Sequence, residues 1–191
     1  MYKSKVGLIG LGQWGKNIYR NLESLNVIEK VYDDNLKNLS EFVTNKIKIS
    51  QNPDELILAK NIDSIFIASP ASTHKDYIIR SLLNNKNVFV EKPLCLSLDE
   101  TYEIKKVAHQ VNKIVFVGHL LQYHNAFNEL KKYIQIGKIG KLKIIKSNRL
   151  NFGAIRNYES VLYDLTSHDI SMILSIIKKL PKKVEINAVF K

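Results

Sequence analysis

Along the first 120 residues the apolar positions switch repeatedly between strand and helix spacing. Lys5 to Gly10 is a short apolar run entering a glycine turn, the pattern of a buried strand. From Gln13 the period lengthens, and Trp14, Ile18, Leu22 and Leu25 fall on one helical stripe. A second strand, Glu29 to Asp33, ends in Asp33-Asp34-Asn35. Asn52-Pro53-Asp54-Glu55 starts a helix, with Asn as cap, Pro in the first position and Glu in the third. Ser64 to Ala68 is the next strand, followed by Ser69-Pro70 and a helix through Ile78 and Leu82. Asn87 to Glu91 reads as a strand, and Ser97-Leu98-Asp99-Glu100 as a capping box opening a helix with Ile104, Val107, Ala108 and Val111 on one face. Lys113 to Gly118 is one more strand. This alternation predicts an α/β fold with a doubly wound parallel sheet.

After residue 120 the rhythm changes. A helix is expected near Asn125 to Ile136, a strand from Leu142 to Leu150, a polar loop over Asn151 to Ser160 and a helix from Ser167 to Lys178. Lys183 to Phe190 alternates, with Val184, Ile186, Ala188 and Phe190 on one face, as in a half-buried antiparallel strand. Two strands with one or two helices make no self-sufficient sheet. The division expected is therefore a complete domain over 1–120 and a partial one over 121–191, the chain being a fragment or truncated product of a longer protein.

Composition narrows the class. At 45% hydrophobic and 25% charged residues the chain is globular, and no apolar run approaches the ~20 residues that span a bilayer. The charged start before an apolar stretch superficially resembles a signal peptide. Gly7, Gly10, Gly12 and Gly15 interrupt that stretch, so a cytoplasmic protein is expected. Cys95 is the only cysteine and, between Leu94 and Leu96, reads as a packed thiol. The net charge of +11 comes mostly from scattered lysines, with Arg20, Arg80, Arg149 and Arg156 the only arginines. Without a basic helix or arginine-rich arm this argues for a solvated lysine surface and against nucleic-acid binding.

Three segments carry candidate chemistry. Gly10-Leu11-Gly12-Gln13-Trp14-Gly15 lies at the first strand-to-helix turn. There Gly10 permits the tight turn, Gly12 leaves room for a diphosphate at the helix N-terminus, and Gly15 lets helix and strand pack closely. Asp33, about twenty residues on, is placed to accept hydrogen bonds from the adenosine ribose and to repel a 2′-phosphate, favouring NAD over NADP. Ser69, Pro70 and His74 follow one strand, and Glu91, Lys92 and Pro93 follow the next, at the ends where open parallel sheets bind ligands. By themselves Lys92 reads equally as a surface lysine and His74 as a helix-start residue. Asp164-Leu165-Thr166-Ser167-His168-Asp169 is the third segment, and a lone histidine in it is more often structural than catalytic.

The order and spacing of these segments resemble the Gfo/Idh/MocA family of NAD(P)-dependent sugar and polyol oxidoreductases, over essentially the whole chain. The resemblance implies a Rossmann domain, a following α/β domain that forms a homo-oligomer interface in the full-length protein, and a cis bond between Lys92 and Pro93. It implies cofactor contacts from Gly10, Gly12, Gln13, Trp14, Gly15, Asp33, Ser69, Pro70, His74, Glu91 and Lys92. Lys92, His168 as acid/base, and Asp164 match the catalytic positions, and no metal is assigned. Thr166 replaces a glycine common in the family, and Gly118 to His124 replaces an arginine-containing segment. With Ser147 to Asn151, that stretch resembles a subgroup in cell-surface polysaccharide biosynthesis that acts on the 3-hydroxyl of UDP-N-acetylglucosamine-type sugar nucleotides. His119, Tyr123, Arg149 and Arg156 are its candidate substrate contacts, with surface or packing roles as the alternative. The alternative function is a catalytically inactive NAD-binding sensor or scaffold.

Overall fold

The computed structural model describes residues 4–44, 46–149 and 165–187. The chain forms two compact units, Met1–Gly118 and His119–Lys191.

In the first unit, β1 (Val6–Ile9), α1 (Gln13–Ser24), β2 (Ile28–Tyr32), α2 (Leu36–Phe42), β3 (Lys48–Ile49), α3 (Asp54–Ile57), β4 (Ser64–Ile67), α4 (Ala71–Leu83), β5 (Asn87–Val90), α5 (Leu98–Gln110) and β6 (Val115–Val117) follow in order. The six strands are all parallel and are arranged β3-β2-β1-β4-β5-β6. This is the doubly wound order of dinucleotide-binding folds, with the reversal between β1 and β4.

Alternation along the strands sends side chains to two cores. Val6 and Leu8 of β1 pack with Tyr19 and Leu22 of α1 and Leu39 of α2. Ile9, with Ile65, Ile67, Val88 and Val90, packs under Leu56, Ile57, Ile78, Leu82 and Ile104 of α3, α4 and α5. Each fully buried branched side chain contributes about 1.5–3 kcal/mol. Phe66, Phe89 and Phe116 occupy matched register positions on β4, β5 and β6 and stack at 4.8 and 5.8 Å between centroids.

Local signals set the element ends. Asn52 accepts from the Glu55 N–H at 3.1 Å, and Ser97 from the Glu100 N–H at 3.2 Å, as their spacing predicts. Glu100 reaches back to the Leu96 N–H (3.0 Å). Just past α1, α4 and α5 stand Asn26, Asn85 and Asn112 in the left-handed region, which asparagine tolerates better than most residues. Cys95 is packed, its sulfur 3.1 Å from Thr101 Oγ1.

Some expectations are corrected. The buried stripe of α1 is Gly15, Tyr19 and Leu22, whereas Trp14 is 46% and Leu25 60% exposed. Gly15 must face the glycine turn because only a residue without Cβ fits there, and this rotates the helix away from the stripe expected. Lys86 does not belong to the solvated surface. It is 6% exposed, and its ammonium donates to the Ala59 and Ile62 carbonyls at 2.6 Å each. Burial pulls its pKa below the usual lysine range.

The second unit contains a 3-10 turn (Leu120–Tyr123), α6 (Asn125–Gln135) and α7 (Ser167–Ile177), with Phe127 buried. Gln122 Nε2 donates to Ser171 Oγ at 3.0 Å, tying the 3-10 turn to α7. The strands expected over Leu142–Leu150 and Lys183–Phe190 are not formed by 142–149 or 183–187, where Ile144 is 83% exposed and Val184 and Ile186 are also exposed. A strand exists only where a neighbour supplies its hydrogen bonds, and the described residues of this unit supply none. Residue 150, the predicted loop over 151–160 and residues 188–190 lie outside the described residues. Among the described residues, no helix is long and apolar enough to cross a membrane.

Replacing Lys86 by Met keeps the apolar stem but leaves the two carbonyls without a donor. Urea denaturation should show a loss of about 1–3 kcal/mol, and a loss below about 0.5 kcal/mol, as for an ordinary surface position, would contradict the buried role.

Candidate active site

The glycine motif occupies the turn from β1 into α1. Gly10 adopts φ +94°, and its N–H donates to the Tyr32 carbonyl at 2.8 Å. A Cβ on Gly10 would lie 2.6 Å from the backbone of Ala68 and Ser69, and one on Gly15 would lie 2.1 Å from the Gly10 carbonyl oxygen. Both glycines are therefore demanded by the fold. Gly12 differs: a Cβ there meets nothing within 4 Å, and its φ of −65° suits any residue. The fold itself gives no reason for a glycine at this position. Helix α1 also begins with no side-chain cap and no acidic residue in its first turn. An open surface over uncapped helix amides fits a dinucleotide diphosphate. Gln13 and Trp14 are exposed beside it.

Asp33, after β2, accepts from the Leu11 N–H (2.5 Å), the Asn35 N–H (2.8 Å) and Asn38 Nδ2 (3.1 Å). A carboxylate offers about four lone-pair sites, so room for a ribose hydroxyl remains. Sequence reasoning gave no role to its neighbour Asp34, which accepts from the Tyr32 hydroxyl. That bond, with burial, pushes the Tyr32 phenol up to about 12. Two carboxylates thus stand side by side at the carboxyl end of β2.

Ser69 and Pro70 lead into α4, where Ser69 Oγ and Thr73 Oγ1 are 2.7 Å apart. His74 is placed otherwise than expected for a cofactor contact. It is 1% exposed, with Nδ1 2.8 Å from the Pro93 carbonyl oxygen and Nε2 2.9 Å from that of Ser69. Both ring nitrogens are engaged inside the protein, so the ring offers no polar atom to a ligand.

Beyond β5, Glu91 is buried, and the Lys92–Pro93 peptide bond is cis. Desolvation pushes the Glu91 carboxyl above its usual range, while the Lys92 N–H (3.3 Å from Glu91 Oε2) and the Lys92 charge pull the other way.

In the second unit His119 precedes the 3-10 turn, which ends at the exposed Tyr123, and His168 is half-buried in the first turn of α7. Asp169 accepts from Arg149 Nε (2.9 Å) and Nη2 (3.2 Å) and from Ser147 Oγ (2.9 Å). Those bonds hold the Asp169 carboxyl below its usual range and raise Arg149. Arg149, a candidate substrate contact, thus commits two of its five donors to Asp169. This pairing spans a long stretch of sequence and had no local signal. Asp164 and Arg156 lie outside the described residues.

Sheet order, glycine turn and acidic strand end define a dinucleotide-binding Rossmann domain. Residues 4–119 match the GFO_IDH_MocA model, described as an oxidoreductase family with an NAD-binding Rossmann fold, and the chain belongs to that family. It is 30% identical over 180 residues to scyllo-inositol 2-dehydrogenase (NAD(+)) of Bacillus subtilis, covering 88% of this chain and 52% of that protein. It is 32% identical over 155 residues to glucose-6-phosphate 3-dehydrogenase of the same organism, covering 80% and 44%. Scyllo-inositol dehydrogenase from Lactobacillus casei, solved with NAD(H) and scyllo-inositol, shares the fold with a TM-score of 0.83 at 23% identity, over 92% of this chain and 56% of that one. The chain spans about half the length of the curated relatives it matches.

Two predictions follow from the geometry. Gly12→Ala should leave the melting temperature within about 2 °C of the parent yet weaken NAD binding at least tenfold, whereas Gly15→Ala should lower the melting temperature itself. Trp14, the only tryptophan, reports binding by fluorescence, and parental affinity in Gly12→Ala would contradict the diphosphate assignment. For Glu91, a raised folded-state pKa means its contribution to stability is present at low pH and lost as pH rises through the raised value. Glu91→Gln should therefore match or exceed the parent's melting temperature at pH 8 and lose that advantage at pH 4; the opposite order in thermal scans would refute the desolvation account.

Proposed function

We propose that the protein oxidises a ring secondary alcohol of a cyclic polyol or sugar to a ketone, with Lys92, His168 and Asp164 acting on the substrate. The observation that carries this reading is Gly12, a glycine the fold does not need in a Rossmann turn, with Lys92 at the carboxyl end of β5 in the same unit. Held by the glycine turn and Asp33, NAD supplies the two-electron acceptor. The chain's own groups handle the proton. Breaking the carbinol C–H as a hydride requires the hydroxyl proton to leave, and an imidazole accepts it near neutrality, which is the role of His168. Lys92, as an ammonium, stabilises the negative charge growing on that oxygen, and Asp164 balances and orients the pair. Residues 119–191 begin the part that holds the substrate.

The relatives named above, acting by name on an inositol and on glucose 6-phosphate, support a free polyol or sugar phosphate. The sugar-nucleotide reading, oxidation at the 3-hydroxyl of a UDP-N-acetylglucosamine-type substrate, rests on Gly118 to His124 and Ser147 to Asn151.

The test is formation of NADH with scyllo-inositol, myo-inositol, glucose 6-phosphate and UDP-N-acetylglucosamine. Lys92→Ala and His168→Ala should each lower kcat by about 10²–10⁴-fold, with Trp14 fluorescence showing NAD affinity retained in His168→Ala. Unchanged turnover in both variants would sink the mechanism. NAD binding with no turnover on any substrate would favour the sensor or scaffold.

A further inference from the structure

We infer that His74 is a positioning residue, whose ring bolts the Ser69 segment to the Lys92–Pro93 turn and so fixes the point from which Lys92 reaches out; this rests on the assignment of Lys92 to the reaction. Strands β4 and β5 stay in register up to Ile67 and Val90, and Glu91 N–H still donates to the Ile67 carbonyl at 2.9 Å. Past that bond the two chains part into the loops that carry Ser69 and Lys92. His74, in the first turn of α4, lies between them and takes over the link, with Nδ1 at 2.8 Å from Pro93 O and Nε2 at 2.9 Å from Ser69 O.

Both partners are carbonyls, which only accept, and among the described residues the ring is the one side chain placed against both of them. Imidazole is suited to the task because its two nitrogens project in different directions from one rigid plane. A phenyl ring of similar shape would leave two carbonyls in a dry environment without donors.

The bolt is anchored at its other end. Ser69 is tied to Thr73 through their hydroxyls, and its backbone nitrogen stands where a Cβ on Gly10 would come within 2.6 Å. The Lys92 turn is therefore referenced, through one side chain, to the same backbone that forms the floor of the glycine turn. Since Pro93 directly follows Lys92, movement of its carbonyl displaces the lysine backbone with it. A displacement of about 1 Å at a reacting group can cost about a hundredfold in rate.

The experiment has one arm on the unmodified protein and one on variants. In nitrogen-edited NMR of the parent protein the ring N–H of His74 should exchange slowly with solvent; rapid exchange overturns the clamp. In His74→Phe, amide hydrogen exchange at Lys92 and Leu94 should rise at least about tenfold more than at Ile9, with His74→Gln intermediate. Equal acceleration at all three sites would mean a merely structural histidine. In turnover, His74→Phe should lower kcat about tenfold or more with NAD affinity by Trp14 fluorescence within about threefold, and should cost nothing further in a Lys92→Ala background. If Lys92→Ala abolishes turnover but His74→Phe keeps the parental kcat, the positioning inference falls and the reaction stands. If Lys92→Ala itself leaves turnover intact, the reaction assignment falls, and with it the consequence drawn for Lys92, while the exchange data still judge the clamp.

Discussion

The carboxyl edge of the sheet depends on a place where backbone meets backbone with no side chain between. Gly10 presses against Ala68 and Ser69, and Gly15 against the Gly10 carbonyl, at separations that leave no room for a Cβ. This contact sits at the reversal between β1 and β4, where two loops turning opposite ways open a crevice. Much of the first unit's site follows from it. It sets the rotation of α1, which turns Trp14 outward and leaves Gly12 over open space. It brings the Leu11 N–H to the Asp33 carboxylate, so the acidic end of β2 is hydrogen-bonded to the glycine turn. It also fixes Ser69, and Ser69 is one of the two carbonyls that His74 holds.

What could be read in the sequence sorts by how local the cause is. Most of the strand and helix order in the first unit was legible because those elements carry their own period and stop signals: the capping box at Ser97, the cap at Asn52, the glycine turn after Ile9; the short α2 and the two-residue β3 were not read. The rotation of α1 was not, because apolar spacing favoured Trp14 and Leu25, and the steric demand of Gly15 against another segment overrode it. The strands expected near Ile144 and Ile186 failed for a related reason. Alternation shows what a strand would look like, but a ladder needs a partner, and the pattern of one segment says nothing about whether a partner is present.

The site shows the same division. The glycine turn and the acidic end of β2 are legible because their pattern is short-range, confined to one strand-helix-strand unit. His74 was expected as a cofactor contact from the family resemblance alone, since by itself it read as a helix-start residue. Only the placement of two carbonyls, from segments after different strands, shows that its ring nitrogens are taken. Lys86 was hidden among the chain's many lysines for the same reason, since its buried carbonyl partners lie on the connection between α3 and β4. The Arg149–Asp169 pair is another case in which the meaning of a charge is set by a distant segment.

Charge acts on two scales in this protein, and the scales oppose each other. The excess of +11, spread over lysines, produces a field that draws anions towards the chain as a whole. Beyond about 8 Å at physiological ionic strength that field is largely screened, so it affects the rate of encounter more than the identity of what is bound. At the end of β2 the local balance is reversed. Asp33 is fixed by three hydrogen bonds, and Asp34 is held by the Tyr32 hydroxyl. Neither carboxylate can swing far without losing those bonds, so the negative charge at this strand end is held in place. A diffuse positive surface therefore surrounds a fixed acidic pair at the carboxyl end of β2. One hydrogen bond, from the Leu11 N–H to Asp33, joins that fixed charge to a glycine turn shaped by backbone contact with Ala68.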